Sequence, residues 1–276
     1  MPPSPHDIRF DRFRENDTET FLALAAEEKW ICDRWEFDFL LHAFPSGCLV
    51  ARDGNEPVAF VTAIGYGKSG WIGNLLVQAG YRGRGIGAGL MELALEALAA
   101  SGVTTVWLTA SEAGRPIYER LGFVTVDTIR RWVGTGSAGE CRQAPTPSPA
   151  TLEAADAAGW GEMRGALLRA TAGRGELIGD DHGFLVSQPC GDGLQVGPWG
   201  CTDAPSAPLL FTAARERAGT GVRMFLDVPE RNRSATDLLT AHAFGVMGTN
   251  LLMHRGPDPG YRPDRVFALG SMGSMG

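Results

Sequence analysis

The sequence predicts an α/β protein with mixed, twisted sheets (α+β in their strand directions), built as two successive units of one plan. Three observations carry this. A glycine-rich loop at residues 80–87 joins an apolar run to a strong helix. A strand, a short helix and a further strand at residues 105–133 recur in the same order at 223–253. Between the halves, residues 134–149 shift to Gly, Ser, Thr and Pro, the composition of a linker.

The expected division is a first unit at residues 1–133, a linker at 134–149 and a second unit at 150–270. A tail follows at 271–276, where repeated Gly-Ser-Met reads as disordered. A chain of 276 residues, 44% hydrophobic and 21% charged, suits two soluble domains. The net charge of −7 argues against nucleic acid as a partner and suits a cationic small molecule or peptide. No apolar run approaches the ~20 residues that span a bilayer. The Pro-rich start, with Asp7 and Arg9, does not read as a signal peptide. Cys32, Cys48, Cys141, Cys190 and Cys201 are odd in number and scattered, which predicts reduced thiols in a cytoplasmic protein and no zinc site. His42, His182, His242 and His254 stand alone, without metal-ligand spacing.

Along the first half, Asp17 is placed to cap a helix over 18–29, with Phe21, Leu22, Leu24 and Ala25 as its apolar stripe. A second helix is expected over 36–44, ended by Pro45 and Gly47. Two strands, 48–52 and 57–64, flank Asp53-Gly54-Asn55, a hairpin signal. The run Trp71, Ile72, Leu75, Leu76, Val77 predicts a third strand buried on both faces. A helix over 88–100, a strand over 103–108, a short helix from Arg115 or Pro116 to Leu121 and a strand over 123–133 complete the unit. The second half reads as a helix over 151–170, strands at 183–187 and 194–196, and a helix over 207–218. A strand over 222–228, a helix over 234–242 and a strand over 245–253 follow.

The chemistry concentrates at Arg82-Gly83-Arg84-Gly85-Ile86-Gly87-Ala88. A strand, closely spaced glycines and a helix N-terminus form an anion cradle. The first amides of a helix lack intrahelical acceptors, and the dipole adds positive potential there. The glycines permit close approach, and the two arginines add charge-assisted hydrogen bonds. A dinucleotide fold would need an acidic residue at the end of the next strand, which instead reads Leu108-Thr109-Ala110-Ser111. A Walker loop would need Gly-Lys-Ser/Thr, which is absent.

Leu75-x-Val77, then Arg82-x-x-Gly85-x-Gly87, then Tyr118-x-x-Leu121-Gly122-Phe123 resembles the GNAT superfamily of N-acetyltransferases over roughly residues 7–133. The resemblance implies acetyl-CoA as co-substrate. Its pyrophosphate would lie on Arg82, Gly83, Arg84, Gly85, Ile86, Gly87 and Ala88. The acetyl carbonyl and pantetheine arm would lie along Leu75, Leu76 and Val77. Tyr118 would stand near the thioester sulfur and protonate the leaving thiolate. Many family members carry a glutamate as base on the strand before the loop. Here that strand, Trp71-Ile72-Gly73-Asn74-Leu75-Leu76-Val77, has no carboxylate, so the base is unassigned. Where the family usually has Asn, seven residues before Tyr118, this chain has Ser111, still able to hydrogen-bond the cofactor.

The second half is similar to the degenerate C-terminal domain of tandem bacterial GNAT proteins. It keeps Asn232 but has no tyrosine at the matching place and no Arg-x-x-Gly-x-Gly. Asp203, in its counterpart loop, would repel a phosphate. The acid- and Trp-rich stretch at 27–38 has two readings, an amine pocket or a solvated loop with core tryptophans. Trp30, Asp33, Trp35 and Asn74 are the acceptor-site candidates. The expected activity is acetyl transfer to a primary amine by direct attack in a ternary complex. The alternatives are an acyl-CoA-binding sensor or regulatory module without turnover, and an enzyme using another acyl group or an oxygen acceptor. The acceptor and the oligomeric state are not specified by sequence.

Overall fold

The computed structural model describes residues 8–139, 146–203 and 205–276. The Pro-rich start, the centre of the expected linker and Cys141 lie outside the described residues. The chain forms two compact units. The first ends at Val106 and takes in Met275, and the second runs from Trp107 to Ser274 and takes in Gly276.

In the first unit, β1 (Ile8–Arg12), β2 (Leu49–Asp53), β3 (Glu56–Gly65) and β4 (Ser69–Val77) pair antiparallel in that order. The expected hairpin is present, with Asp53 opposite Glu56. α1 (Thr18–Glu27) and α2 (Arg34–Ala43) pack together through Phe21 and Phe37, whose ring centroids are 4.5 Å apart. Both rings meet Phe13, and Phe13 and Phe21 in turn meet Phe60. Phe60 and Thr62 share one face of β3, since side chains alternate along a strand. α3 (Ile86–Ala100) packs on β2, β3 and β4 through Leu90, Met91, Ala94 and Leu98, all buried.

Asp17 does not cap α1 as the sequence suggested. Its carboxylate accepts instead from Arg52 Nη2, at 2.9 and 2.7 Å, and from the Arg14 amide. A buried carboxylate beside a guanidinium gains more from the ion pair than from a neutral amide of its own helix.

In the second unit the strand order is β11-β6-β10-β9-β8-β7, with β12 on β9. The ranges are β6 Val124–Thr135, β7 Glu176–Gly179, β8 Gly183–Cys190, β9 Gly193–Cys201, β10 Arg223–Pro229, β11 Gly245–Arg255 and β12 Val266–Ala268. β5 (Thr105–Ala110) contains the boundary between the units. β6 pairs with β11 over Val124–Val133 and with β10 over Ile129–Thr135.

Burial on both faces is explicit in β8. Leu185 joins a core with Trp199, Phe211, Ala214, Leu226 and Leu239, supplied in part by α7 (Ser206–Ala218) and α8 (Arg233–Ala241). Its neighbours Phe184 and Val186 join Leu152, Ala155 and Leu168 of α5 (Pro149–Trp160) and α6 (Gly165–Arg174). The expected helix over 151–170 is thus two helices. Gly161 is left-handed at φ 72°, and a Cβ there would fall 1.8 Å from the Pro259 carbonyl oxygen. The break is held by Arg164, buried and bonded to Asp156 at 2.9 and 2.6 Å.

The tail is ordered, contrary to the expectation of disorder. Gly270 donates its amide to the Gly276 carbonyl at 2.9 Å, and Met275 is 3% exposed. Within the first unit, Tyr66 donates to the Met275 carbonyl at 2.7 Å. Within the second, Thr109 donates to the Met272 carbonyl. Side-chain donors that satisfy the tail's carbonyls offset the entropy that Gly-Ser-Met repeats lose on ordering.

Candidate functional site

The first component is a break in β4. Its register with β3 jumps from Phe60–Leu76 to Thr62–Gly73, so Asn74 and Leu75 together face Val61. Asn74 absorbs the bulge at φ 55°, a left-handed conformation that Asn tolerates better than most residues. The bulge re-aims the strand just before Leu75, Leu76 and Val77.

The second component follows. A 3₁₀ turn at Ala79–Tyr81 leads to Arg82, then to Gly83 and Gly85 at φ 76° and 81°. Gly85 is the N-cap of α3, and no side chain caps that end. The Gly89 amide closes the first turn on the Gly85 carbonyl at 3.0 Å, so the preceding amides of Ile86, Gly87 and Ala88 have no intrahelical acceptor. A Cβ added at Gly83 or Gly85 would meet nothing within 4 Å, which means that open space lies over the loop. At Gly87 a Cβ would come within 3.4 Å of the Val77 side chain, so the helix start lies close against β4.

Both cations of the loop are held. Arg82 Nε donates to the Val77 carbonyl at 2.9 Å, and its Nη2 donates to Glu28. Arg84 Nη2 donates to the Gly80 carbonyl at 2.9 Å, with its guanidinium 5.0 Å from the Tyr81 ring centroid. Tyr81 is fixed in turn by donating to Asp53 at 2.7 Å. Open helix amides, glycines with room above them and two anchored guanidiniums fit an anionic diphosphate.

In the second unit, Tyr118 stands on α4 (Arg115–Arg120), which Gly122 terminates at φ 85°. The Tyr118 carbonyl accepts from Leu121 and Phe123, and its ring meets Phe123 edge-on at 6.2 Å. The hydroxyl has no hydrogen-bond partner among the described residues. Burial pushes its pKa up to about 12, so the phenol is a proton donor at neutral pH, not a phenolate. Ser111 uses its Oγ to accept from the Gly114 amide at 3.2 Å, closing the turn into α4.

The acceptor-site candidates separate. Asp33 is the N-cap of α2 and accepts from the Glu36 amide at 3.4 Å. Trp35 stacks on Phe39 with ring centroids 5.7 Å apart and planes 9° from parallel. Trp30 is 41% exposed, with its ring 6.5 Å from Phe21. Asn74 points inward and meets a residue that sequence reading did not single out. Its Nδ2 donates to Glu36 Oε1 at 2.8 Å and to Thr62 Oγ1 at 3.1 Å. The spacing Asp33-x-x-Glu36 signals a helix start. Nothing local signals that Glu36 reaches β4.

The corresponding loop of the second unit is filled from within. Asp203 Oδ1 accepts from the Ser206 amide at the start of α7, where the first unit leaves its helix amides open. Trp199 is buried and stacks on Phe211 at 5.8 Å. Asn232, kept in sequence, caps α8 through Ala235 and donates to the Val266 carbonyl, a structural task. Among the described residues, no helix is long and apolar enough to cross a membrane.

Comparison with known proteins finds two like domains in the chain. The acetyltransferase (GNAT) family model matches residues 6–123, and a second model, described as an acetyltransferase (GNAT) domain, matches 153–268. An uncharacterized N-acetyltransferase of Methanocaldococcus jannaschii is 28% identical over 121 residues, which are 39% of this chain and 51% of that protein. The match thus spans about half the length of that relative. A holothin acyltransferase of a Pseudoalteromonas species is 24% identical over 270 residues, 90% of this chain and 88% of that one. A candidate acetyltransferase from Pyrococcus horikoshii shares the fold at TM-score 0.85 and 20% identity, with 99% and 97% of the two chains covered. A GCN5-related N-acetyltransferase from Sphaerobacter thermophilus does so at TM-score 0.63 and 16% identity, with 94% and 100% covered. The chain belongs to the GNAT acetyltransferase family and is an acyltransferase with two GNAT domains in tandem.

Proposed function

We propose that the chain transfers an acetyl group from acetyl-CoA to a primary amine of a small molecule or peptide, in a ternary complex. The observation that carries this reading is the uncapped N-terminus of α3, with open space above Gly83 and Gly85 and the loop's two guanidiniums anchored to the Val77 and Gly80 carbonyls. Arg82, Gly83, Arg84, Gly85, Ile86, Gly87 and Ala88 would hold the pyrophosphate. The backbone of Leu75, Leu76 and Val77 would receive the thioester carbonyl and pantetheine arm. The amine nitrogen attacks the carbonyl carbon, and an oxyanion forms that needs preorganised N–H donors. The C–S bond then breaks. A protonated Tyr118 is suited to give the leaving thiolate its proton. Ser111, committed to its own turn, is the weakest member of the proposed cofactor set.

The net charge of −7 favours a cationic acceptor, and the odd, scattered cysteines suit a cytoplasmic setting. The test is calorimetric titration of acetyl-CoA and propionyl-CoA into wild type and an Arg82→Ala, Gly85→Glu double variant. Thiol release is then followed with a panel of amines. One-to-one binding that disappears in the variant supports the site. Binding that survives moves the site elsewhere, and no binding to wild type ends the reading.

A further inference from the structure

The strand that precedes the pyrophosphate loop carries no acid of its own, yet the fold delivers one. Glu36, the third residue of α2, is 9% exposed and reaches across to β4. We propose that Glu36 is the general base that deprotonates the acceptor amine, and that Asn74 is the residue that positions it. The proposal rests on the acetyl-transfer reading above and adds the residue that reading lacks.

A chain of hydrogen bonds holds the carboxylate. Asn74 has two amide protons, and both are used, one on Glu36 Oε1 and one on Thr62 Oγ1. Thr62 can accept there because its own proton goes to the Gly73 carbonyl at 3.3 Å. The Asn74 and Thr62 donors are thereby assigned, and a flip of the Asn74 amide would break both bonds from its Nδ2. The left-handed bulge at Asn74 is what turns this side chain toward α2. The same bulge leads directly into Leu75, Leu76 and Val77, the proposed acyl-binding backbone. Leu76 is two residue steps along the strand from Asn74, roughly 7 Å at 3.2–3.4 Å per residue. A carboxylate held beside Asn74 is within reach of an amine attacking a carbonyl there, directly or through one water.

The proton balance is complete without further reagents. The acceptor ammonium gives one proton to Glu36, which passes it to solvent. The nitrogen lone pair forms the C–N bond, and the C–S bond breaks. The second proton lost by nitrogen ends, net, on the departing thiolate. The products are the amide, CoA thiol and one released proton.

The experiment compares two nucleophiles, ethylamine and hydroxylamine, with acetyl-CoA at neutral pH. Ethylamine is almost wholly protonated there and needs a base, whereas hydroxylamine is already neutral. Glu36→Gln keeps an oxygen for Asn74 and so preserves the hydrogen-bond chain. Transfer to ethylamine should fall by about 10²–10⁴-fold, the usual span of general-base catalysis. Transfer to hydroxylamine and the acetyl-CoA dissociation constant should change by less than tenfold. Glu36→Asp, which retains a carboxylate, should keep more ethylamine transfer than Glu36→Gln, and guards against a variant that simply fails to fold. Equal loss with both nucleophiles at unchanged acetyl-CoA binding, or no loss with either, overturns the base assignment alone. Transfer by wild type to hydroxylamine but not to ethylamine also overturns it. A wild type that transfers to neither removes the acetyl-transfer reading itself.

Discussion

Arg82 donates from Nε to the backbone carbonyl of Val77 across 2.9 Å, so the loop's first cation is anchored to the end of β4. The same guanidinium is paired with Glu28. A pyrophosphate on this loop would meet an arginine already oriented and a carboxylate close behind it. Arg82→Ala should weaken acetyl-CoA binding by tenfold or more, as expected for loss of a charge-assisted hydrogen bond. Glu28→Gln should tighten it by less than tenfold, with a smaller effect at high salt. Calorimetry at two ionic strengths reads both.

Tyr118 is held protonated by burial, with a pKa of about 12. An ordinary tyrosine loses its proton near pH ~10. The rate of acetyl transfer should therefore show no alkaline fall from this phenol up to roughly pH 10. Tyr118→Phe should lower kcat by about 10²-fold, within the range for a general acid, and leave acetyl-CoA binding within a few fold. Steady-state kinetics across pH, with a binding titration at one pH, separates the two effects.

Asp156 and Arg164 form a bidentate ion pair with both side chains only 3% exposed, and Arg164 lies 4.5 Å from the Trp160 ring centroid. Removing one partner strands a buried charge. Asp156→Ala should cost about 3–5 kcal/mol of stability, measured by urea unfolding. Replacement of both residues by apolar side chains should cost less than the single change.

Cys48 and Cys201 have their thiols pushed up to about 12 by burial, which suppresses the reactive thiolate. Cys32 and Cys190 are half-buried. Of these four, Cys32 and Cys190 should be modified before Cys48 and Cys201 on brief treatment of the native protein with iodoacetamide. Cys48 and Cys201 should react only after unfolding, as read by peptide mass spectrometry.

Much of this was legible in the residues themselves. Arg82, Gly85 and Gly87 announced the cradle because backbone freedom and charge are local properties. Asp53-Gly54-Asn55 announced the hairpin for the same reason. What sequence did not convey depends on partners distant in the chain. Glu36 looks like any acid in a first helical turn until β4 brings Asn74 to it, 38 residues away. The helix over 151–170 reads as continuous because its composition is favourable throughout. Its left-handed turn and the nearby Pro259 carbonyl make Gly161 indispensable. The tail reads as disordered because glycine and serine have little to bury, yet Tyr66 and Thr109 bind its carbonyls. β7 escaped notice because four residues carry too little periodicity.

The position of β6 also sets a timetable. Its two hydrogen-bonding neighbours begin about ninety and about 110 residues after it ends. At roughly 5–20 residues per second of synthesis, β6 leaves the ribosome several seconds before either exists. During that interval it offers bare amides and carbonyls on both edges, and other nascent chains can pair with them. A ribosome that stalls between β6 and β10 releases a fragment that looks like a finished first repeat in sequence. Its last strand has nowhere to go.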